Sequence, residues 1–213
     1  ALERTKTQIY PQRYGAWDQS INLVHNDDRP TSNDIVIIGT PPKYHLPLAN
    51  EVVSESPQAI LIEKPVSGIN LEGADELLSK AVDNNVSLFV GYDHALSESV
   101  TKSSSLLLSE DGLGEIQTLD VEFREFWGGI FSAHPWLDGP SDTYLGFWQD
   151  GGGATGEHSH AINLWQHFAR VIGQGRIREV SATVDYVKSE QVDYDQLSLM
   201  NFKTEHGLVG RCV

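Results

Sequence analysis

Three short apolar runs, each ending in a polar cluster and each separated from the next by a helix-length segment, most narrowly limit what this chain can fold into. Residues 34–40 (DIVIIGT) lead into TPP, residues 59–62 (AILI) into EKP, and residues 86–90 (VSLFV) into GYDH. Continuous apolar runs bounded by turn residues read as strands buried on both faces. The segments between them, 45–54 and 71–82, have helical length. In the second, Leu71, Ala74, Leu77, Leu78 and Ala81 recur at helical spacing. Strand, helix, strand, helix, strand at this spacing predicts parallel strands. Ligands of such sheets bind at the carboxyl ends of the strands. The clusters GTPPKYH (39–45), EKP (63–65) and GYDH (91–94) are therefore expected on one edge.

After residue 95 the pattern changes. A helix is expected over 97–109 and a strand over 116–126, followed by a Gly-, Pro- and Trp-rich stretch, 127–153, that reads as one long loop. Loops of that length in a compact domain are usually functional or disordered, and Trp127, Trp136, Tyr144, Phe147 and Trp148 favour function. Residues 178–187, 196–204 and 207–213 read as consecutive antiparallel strands. The expected fold is α/β: a partial Rossmann-type parallel sheet over 1–95, then an α+β domain with a mostly antiparallel sheet over 96–213.

Thirty acidic against fifteen basic side chains leave a net charge of −15. That balance repels phosphate backbones and anionic membranes, which argues against nucleic-acid and membrane partners and for small molecules. A single cysteine, Cys212, the lack of a secretory leader pattern and the lack of a long apolar run give a cytoplasmic expectation.

Residues 150–170 (DGGGATGEHSHAINLWQHFAR) concentrate the titratable chemistry. At about 100° per residue, Glu157, His160, Asn163 and His167 share one sector of a helix, opposite Ala161, Trp165, Phe168 and Ile172. A histidine between a carboxylate and an amide can exchange protons near neutral pH; solvent-facing or hydrogen-bonded core groups would give the same stripe. His158 falls on the flank near Trp165 and reads as structural. Glu157, His158, His160 and His167 are all metal-ligand types. However, His158 and His160 project to different sides, the spacing lacks the usual i, i+4 pair and only one cysteine exists, so no catalytic metal is expected. Lys64 of EKP, at a strand end, can hydrogen-bond a substrate oxygen and stabilise developing negative charge. The paired prolines of TPPKYH fix a rigid loop that leaves Thr40 and His45 to point over the sheet edge.

Taken in order, DIVIIGTPPKYHLPLA, AILIEKPVSG, LFVGYDHALSES, GLGEIQTLDVEFREFWGG and GGGATGEHSHAINLWQHF resemble the Gfo/Idh/MocA family of NAD(P)-dependent sugar and polyol oxidoreductases. The resemblance implies NAD or NADP as cofactor, a sugar or polyol substrate and a homo-oligomer built through an open sheet. It also implies that Thr40, Pro41, Pro42, His45, Glu63, Lys64 and Tyr92 lie on the cofactor side. Lys64, His160, Asn163, His94 and Trp148 would face substrate, with His160 as acid/base and Glu157 as its orienter. Asn163 stands where many members have aspartate. No GxGxxG turn occurs in residues 1–33, and 1–17 looks like the helix and strand that follow a second Rossmann strand. The chain is therefore expected to be an internal fragment, inactive by itself, whose intact form transfers hydride. The alternatives are a non-catalytic sugar-binding or interaction module of the same fold, and an NAD-dependent glycoside hydrolase.

Overall fold

The computed structural model describes residues 2–109 and 112–213; Ala1, where the N-terminal reading begins, lies outside them. The three apolar runs form β1 (Ile35–Ile38), β2 (Ala59–Ile62) and β3 (Ser87–Val90). They pair in parallel in sequence order, with Ile38 opposite Ile62 and Ile62 opposite Val90. The helices His45–Val52 and Ala74–Asp83 connect them, as the spacing predicts. Ile38, Ile60 and Ile62 meet Leu46, Ala49, Val52, Leu77 and Ala81 in one core.

Burial on both faces is not what the described residues show. Ile35, Ile37 and Phe89 are exposed, because both connecting helices pack on the face that carries Ile38, Ile60 and Ile62 and alternate side chains of a strand point to opposite faces. The N-terminal expectation also needs correction: residues 2–14 are helical, but 15–34 form no strand.

The second half holds a sheet of order β4–β7–β6–β5, made by Thr118–Val121, Val209–Cys212, Asp193–Thr204 and Ile177–Lys188. β4 and β7 are parallel, and the other pairs antiparallel. The expected strand 116–126 is reduced to four residues, and 127–153 is not one loop. It folds as the helix Trp127–Ala133 and three single 3₁₀ turns, Pro140–Asp142, Tyr144–Gly146 and Trp148–Asp150.

The helix Ser159–Val171 lies across this sheet, with Ala161, Trp165 and Ala169 buried against Phe202, Leu208 and Cys212. Trp165 is fully buried, and its indole N–H donates to the Leu119 carbonyl at 2.7 Å. That bond satisfies the one polar atom of a large apolar side chain, so the indole can serve as the anchor of the layer. The anchor fixes which face of the helix turns outward toward the first sheet.

Candidate active site

The polar stripe is broken into two helices. Gly153–Glu157 ends at His158, whose φ of −93° and ψ of 22° interrupt the turn before Ser159–Val171 begins. The first helix starts where glycine is required. Gly153 has φ +80°, a left-handed conformation that side chains rarely adopt, and a Cβ there would overlap the carboxylate of Asp195. That carboxylate is buried and accepts from the backbone N–H of Thr155 at 2.7 Å and its hydroxyl at 2.6 Å. Asp195 thus closes the amino end of the helix that carries Glu157.

The Glu157 carboxylate bonds Lys64 and Tyr144 and makes no hydrogen bond to His160. Its Oε1 lies 2.9 Å from Nζ of Lys64, and the same ammonium donates to the Glu157 carbonyl at 3.1 Å. Tyr144 completes the group, its hydroxyl donating to Oε2 of Glu157 at 3.2 Å. Burial, followed by the Glu157 charge, pushes the Tyr144 phenol well above its ordinary range. The expected orienter of His160 is therefore hydrogen-bonded to the expected catalytic lysine.

His160 is buried at the start of the second helix. Its ring meets His94 edge-on at 4.1 Å and Tyr92 at 5.7 Å, both from the turn after β3, and stacks near Phe123 at 6.2 Å. Its Nδ1 has no hydrogen-bond partner. Burial, then the neighbouring His94 and Lys64, push its pKa down to about 4. Asn163 follows on the same helix, and its side-chain oxygen is likewise buried without a partner. His158 takes an N–H from Trp127 at 3.3 Å and lies 3.6 Å from Glu125; burial lowers its pKa as well.

The first sheet supplies the rest. Thr40 and Pro41 are exposed at the end of β1, and Pro42 is buried. His45 is fully buried, its two ring nitrogens 2.9 and 2.6 Å from the carbonyls of Pro65 and Thr40. It joins the loops after β1 and β2 and bears on the site through their backbones. Glu63 lies under Gly91, where a Cβ would come within 2.8 Å of its carboxylate; this close approach lets the turns after β2 and β3 pack side by side. Of the expected residues, the structure brings Lys64, Glu157, His160, Asn163, Tyr92 and His94 to one edge. Trp148 stays apart, with its indole bonded to Asp193, and His167 reaches Ser104 at 3.3 Å. Tyr144, singled out in sequence only as one aromatic among several, and Asp195, which carries no sequence signal, are the additions.

Residues 13–92 match a family model described as an oxidoreductase family with an NAD-binding Rossmann fold. No curated protein sequence matches the chain. Among solved structures, GenD2 from gentamicin A biosynthesis, in complex with NAD, is similar at 22% identity and a TM-score of 0.73, over 95% of this chain and 53% of its own. The WlbA dehydrogenase of Bordetella pertussis, with NADH and UDP-GlcNAcA, is similar at 19% and 0.64, over 84% and 50%. An inositol dehydrogenase homolog from Azotobacter vinelandii, with NADH and myo-inositol, gives 19% and 0.64, over 84% and 43%. The chain thus spans about half the length of these structures or less. The parallel strands and the polar clusters at their carboxyl ends agree with that match: residues 13–92 are similar to the NAD-binding Rossmann part of the GFO_IDH_MocA oxidoreductase family.

Proposed function

We propose that the complete protein transfers a hydride between a nicotinamide cofactor, NAD or NADP, and a hydroxyl-bearing carbon of a sugar, cyclitol or related polyol. The observation that carries this reading is the meeting of Lys64, held by Glu157, with buried His160 at the carboxyl edge of a parallel sheet. Groups from both halves of the chain meet there, which supports a nucleotide-side part over 1–95 and a substrate-side part over 96–213.

The residues fit a nicotinamide and a carbinol. Thr40 and Pro41 are exposed at the strand ends, and a buried ring nitrogen of His160 lacks a partner. Thr40, Pro41 and Tyr92 would line the cofactor, Pro42, His45 and Glu63 would shape that wall from beneath, and the nicotinamide when bound supplies the hydride acceptor or donor. An ammonium has three N–H donors; Lys64 donates one to the Glu157 carbonyl while its charge pairs with the Glu157 carboxylate, which leaves donor capacity for the substrate oxygen. That bond orients the carbinol and stabilises negative charge developing on its oxygen. In oxidation the Nδ1 of His160 takes the hydroxyl proton, and in reduction it returns it. Asn163, with an unpartnered oxygen beside His160, and His94 hold neighbouring hydroxyls.

Among the described residues no helix is long and apolar enough to cross a membrane; a cytoplasmic location is part of the proposal. So is a homo-oligomer, supported by exposed Val180, Val184 and Tyr186 on the edge strand β5. The test is to supply the complete protein with NAD or NADP and a panel of sugars and cyclitols and to follow reduced nicotinamide. Turnover that Lys64→Met and His160→Asn each lower by about 100-fold or more, the scale of one general-base or electrostatic contribution, supports the reading. Cofactor binding without turnover on any polyol points to the binding module, and net hydrolysis with no accumulated reduced cofactor points to the hydrolase.

A further inference from the structure

We propose that Asp93, His94 and His160 form a binding site for a divalent transition-metal ion, zinc being the best-fitting, and that the bound ion blocks the site. The binding half stands on the geometry alone. The blocking half rests on the proposed role of His160 in hydride transfer.

One ligand atom from each of the three residues lies within 4.8 Å of the others. Oδ1 of Asp93 is 3.9 Å from Nδ1 of His94 and 3.9 Å from Nδ1 of His160. Zinc takes nitrogen and oxygen donors at about 2.0–2.1 Å in a tetrahedron, which separates the donors by about 3.4 Å. The two Asp93 distances close with a shift of about half an ångström, and the His94–His160 pair, within 4.8 Å, with at most about 1.4 Å. Asp93 and His94 are both exposed side chains whose rotamers can supply these shifts.

A second observation is independent of the spacing. The His160 side chain is only 9% exposed, and its Nδ1, the atom that faces Asp93, has no hydrogen-bond partner. A buried polar atom left unpaired costs about 1–3 kcal/mol, and a cation held between it and the Asp93 carboxylate would satisfy it.

The donor set selects the ion. Two imidazoles and one carboxylate are the three protein ligands of an open zinc site, with a fourth position left to water. Magnesium and calcium prefer six or more oxygens and fit poorly; imidazole suits zinc, copper and nickel. The Lys64 charge disfavours a cation beside His160, and the Asp93 and Glu157 carboxylates offset it. The ligands come from the turn Asp93–Leu96 and the helix Ser159–Val171, so a bound ion would tie the two halves together and occupy the lone pair of His160. Helical spacing within 150–170 could not show this, since two of the three ligands lie outside that segment.

The experiment is a Co²⁺ titration of the purified chain, without cofactor or substrate, read by visible absorption and checked by zinc calorimetry. Expected are one ion per chain, the intensified visible bands of low-coordinate cobalt, displacement by zinc, and a loss of affinity of about tenfold or more in each of Asp93→Asn and His94→Gln. Both side chains are exposed, and circular dichroism checks that the variants fold. No stoichiometric binding, or binding that both variants leave unchanged, overturns the site. In the complete protein, zinc should stop turnover and a chelator restore it. Turnover that persists with zinc bound overturns the blocking while leaving hydride transfer intact; absence of turnover under any condition overturns the proposed function and the blocking together, and leaves the cobalt result standing.

Discussion

The Lys64 ammonium is gripped twice by one residue, at 2.9 Å by the Glu157 carboxylate and at 3.1 Å by the Glu157 carbonyl. These residues are contributed by the two halves of the chain, and the contact sets where the lysine can point.

Glu157→Gln keeps the shape of that contact and removes its charge. Both side chains are largely buried, so an unpaired ammonium is left in a poorly solvated place. We expect a loss of about 1–3 kcal/mol in urea unfolding, and in the complete protein a fall in turnover comparable to that of Lys64→Met. The double variant Lys64→Met, Glu157→Gln should cost clearly less than the sum of the singles, because each single strands the partner of the other. Additive losses would mean that the two groups do not act as a pair.

Gly153→Ala should be more damaging than Gly173→Ala. Both glycines have positive φ, +80° and +72°, and each substitution carries the backbone penalty of about 1–3 kcal/mol for a left-handed non-glycine residue. At Gly173 a Cβ meets open space, whereas at Gly153 it overlaps Asp195, the carboxylate that caps Thr155. Urea midpoints of the two variants give the difference directly. Equal midpoints would show that Asp195 moves aside freely and does not fix the helix that carries Glu157.

The parallel strands were legible because continuous apolar runs with polar ends have few other uses, and residues 35–38, 59–62 and 87–90 fall inside the expected spans. The convergence of Lys64 and His94 follows from strand direction, since every β-strand of a parallel sheet opens its carboxyl end on the same edge, whereas His160 comes from the helix Ser159–Val171 of the other half and only the family resemblance pointed to its place there. Helical periodicity could not show the break at His158, nor that Glu157 pairs with Lys64. Periodicity assumes an unbroken helix, and the first of the two helices is capped at Thr155 by Asp195, forty residues further along the chain. The turns within 127–153 were hidden for a related reason: the turn Tyr144–Gly146 is held by contacts to other elements, including the bond from Tyr144 to Glu157.

Arg29, in the segment before β1, should contribute stability that depends on pH. Its guanidinium bonds both carboxylate oxygens of Glu55 and Oε1 of Glu51, and the bond from Arg29 holds the Glu55 carboxyl below its ordinary value. A depressed carboxylate stabilises the fold above the ordinary glutamate pKa and loses that contribution as pH falls through the folded-state value. Arg29→Met should therefore cost about 1 kcal/mol near pH 7, the upper end for pairs near the surface, and less as the pH is lowered toward 3. Urea unfolding across that range checks it; a pH-independent cost would assign the effect to packing of the arginine stem.

Cys212 should be silent to thiol reagents until the second sheet opens. Its side chain is buried against the Ser159–Val171 helix, and burial pushes the thiol up to about 11. At pH 8 the folded chain then holds almost no thiolate, which is the reactive form, while the unfolded chain holds an ordinary fraction. Alkylation with iodoacetamide should therefore follow unfolding, accelerating through the urea transition together with the change in tryptophan fluorescence, to which buried Trp165 contributes. Because the raised pKa means that the folded state keeps a proton the unfolded state releases, this group favours the fold fully below the ordinary thiol value of about 9 and progressively less as pH rises from there toward 11. Rapid labelling of the native chain at pH 8, with tryptophan fluorescence unchanged, would show that β7 frays from the sheet independently of the Trp165 anchor.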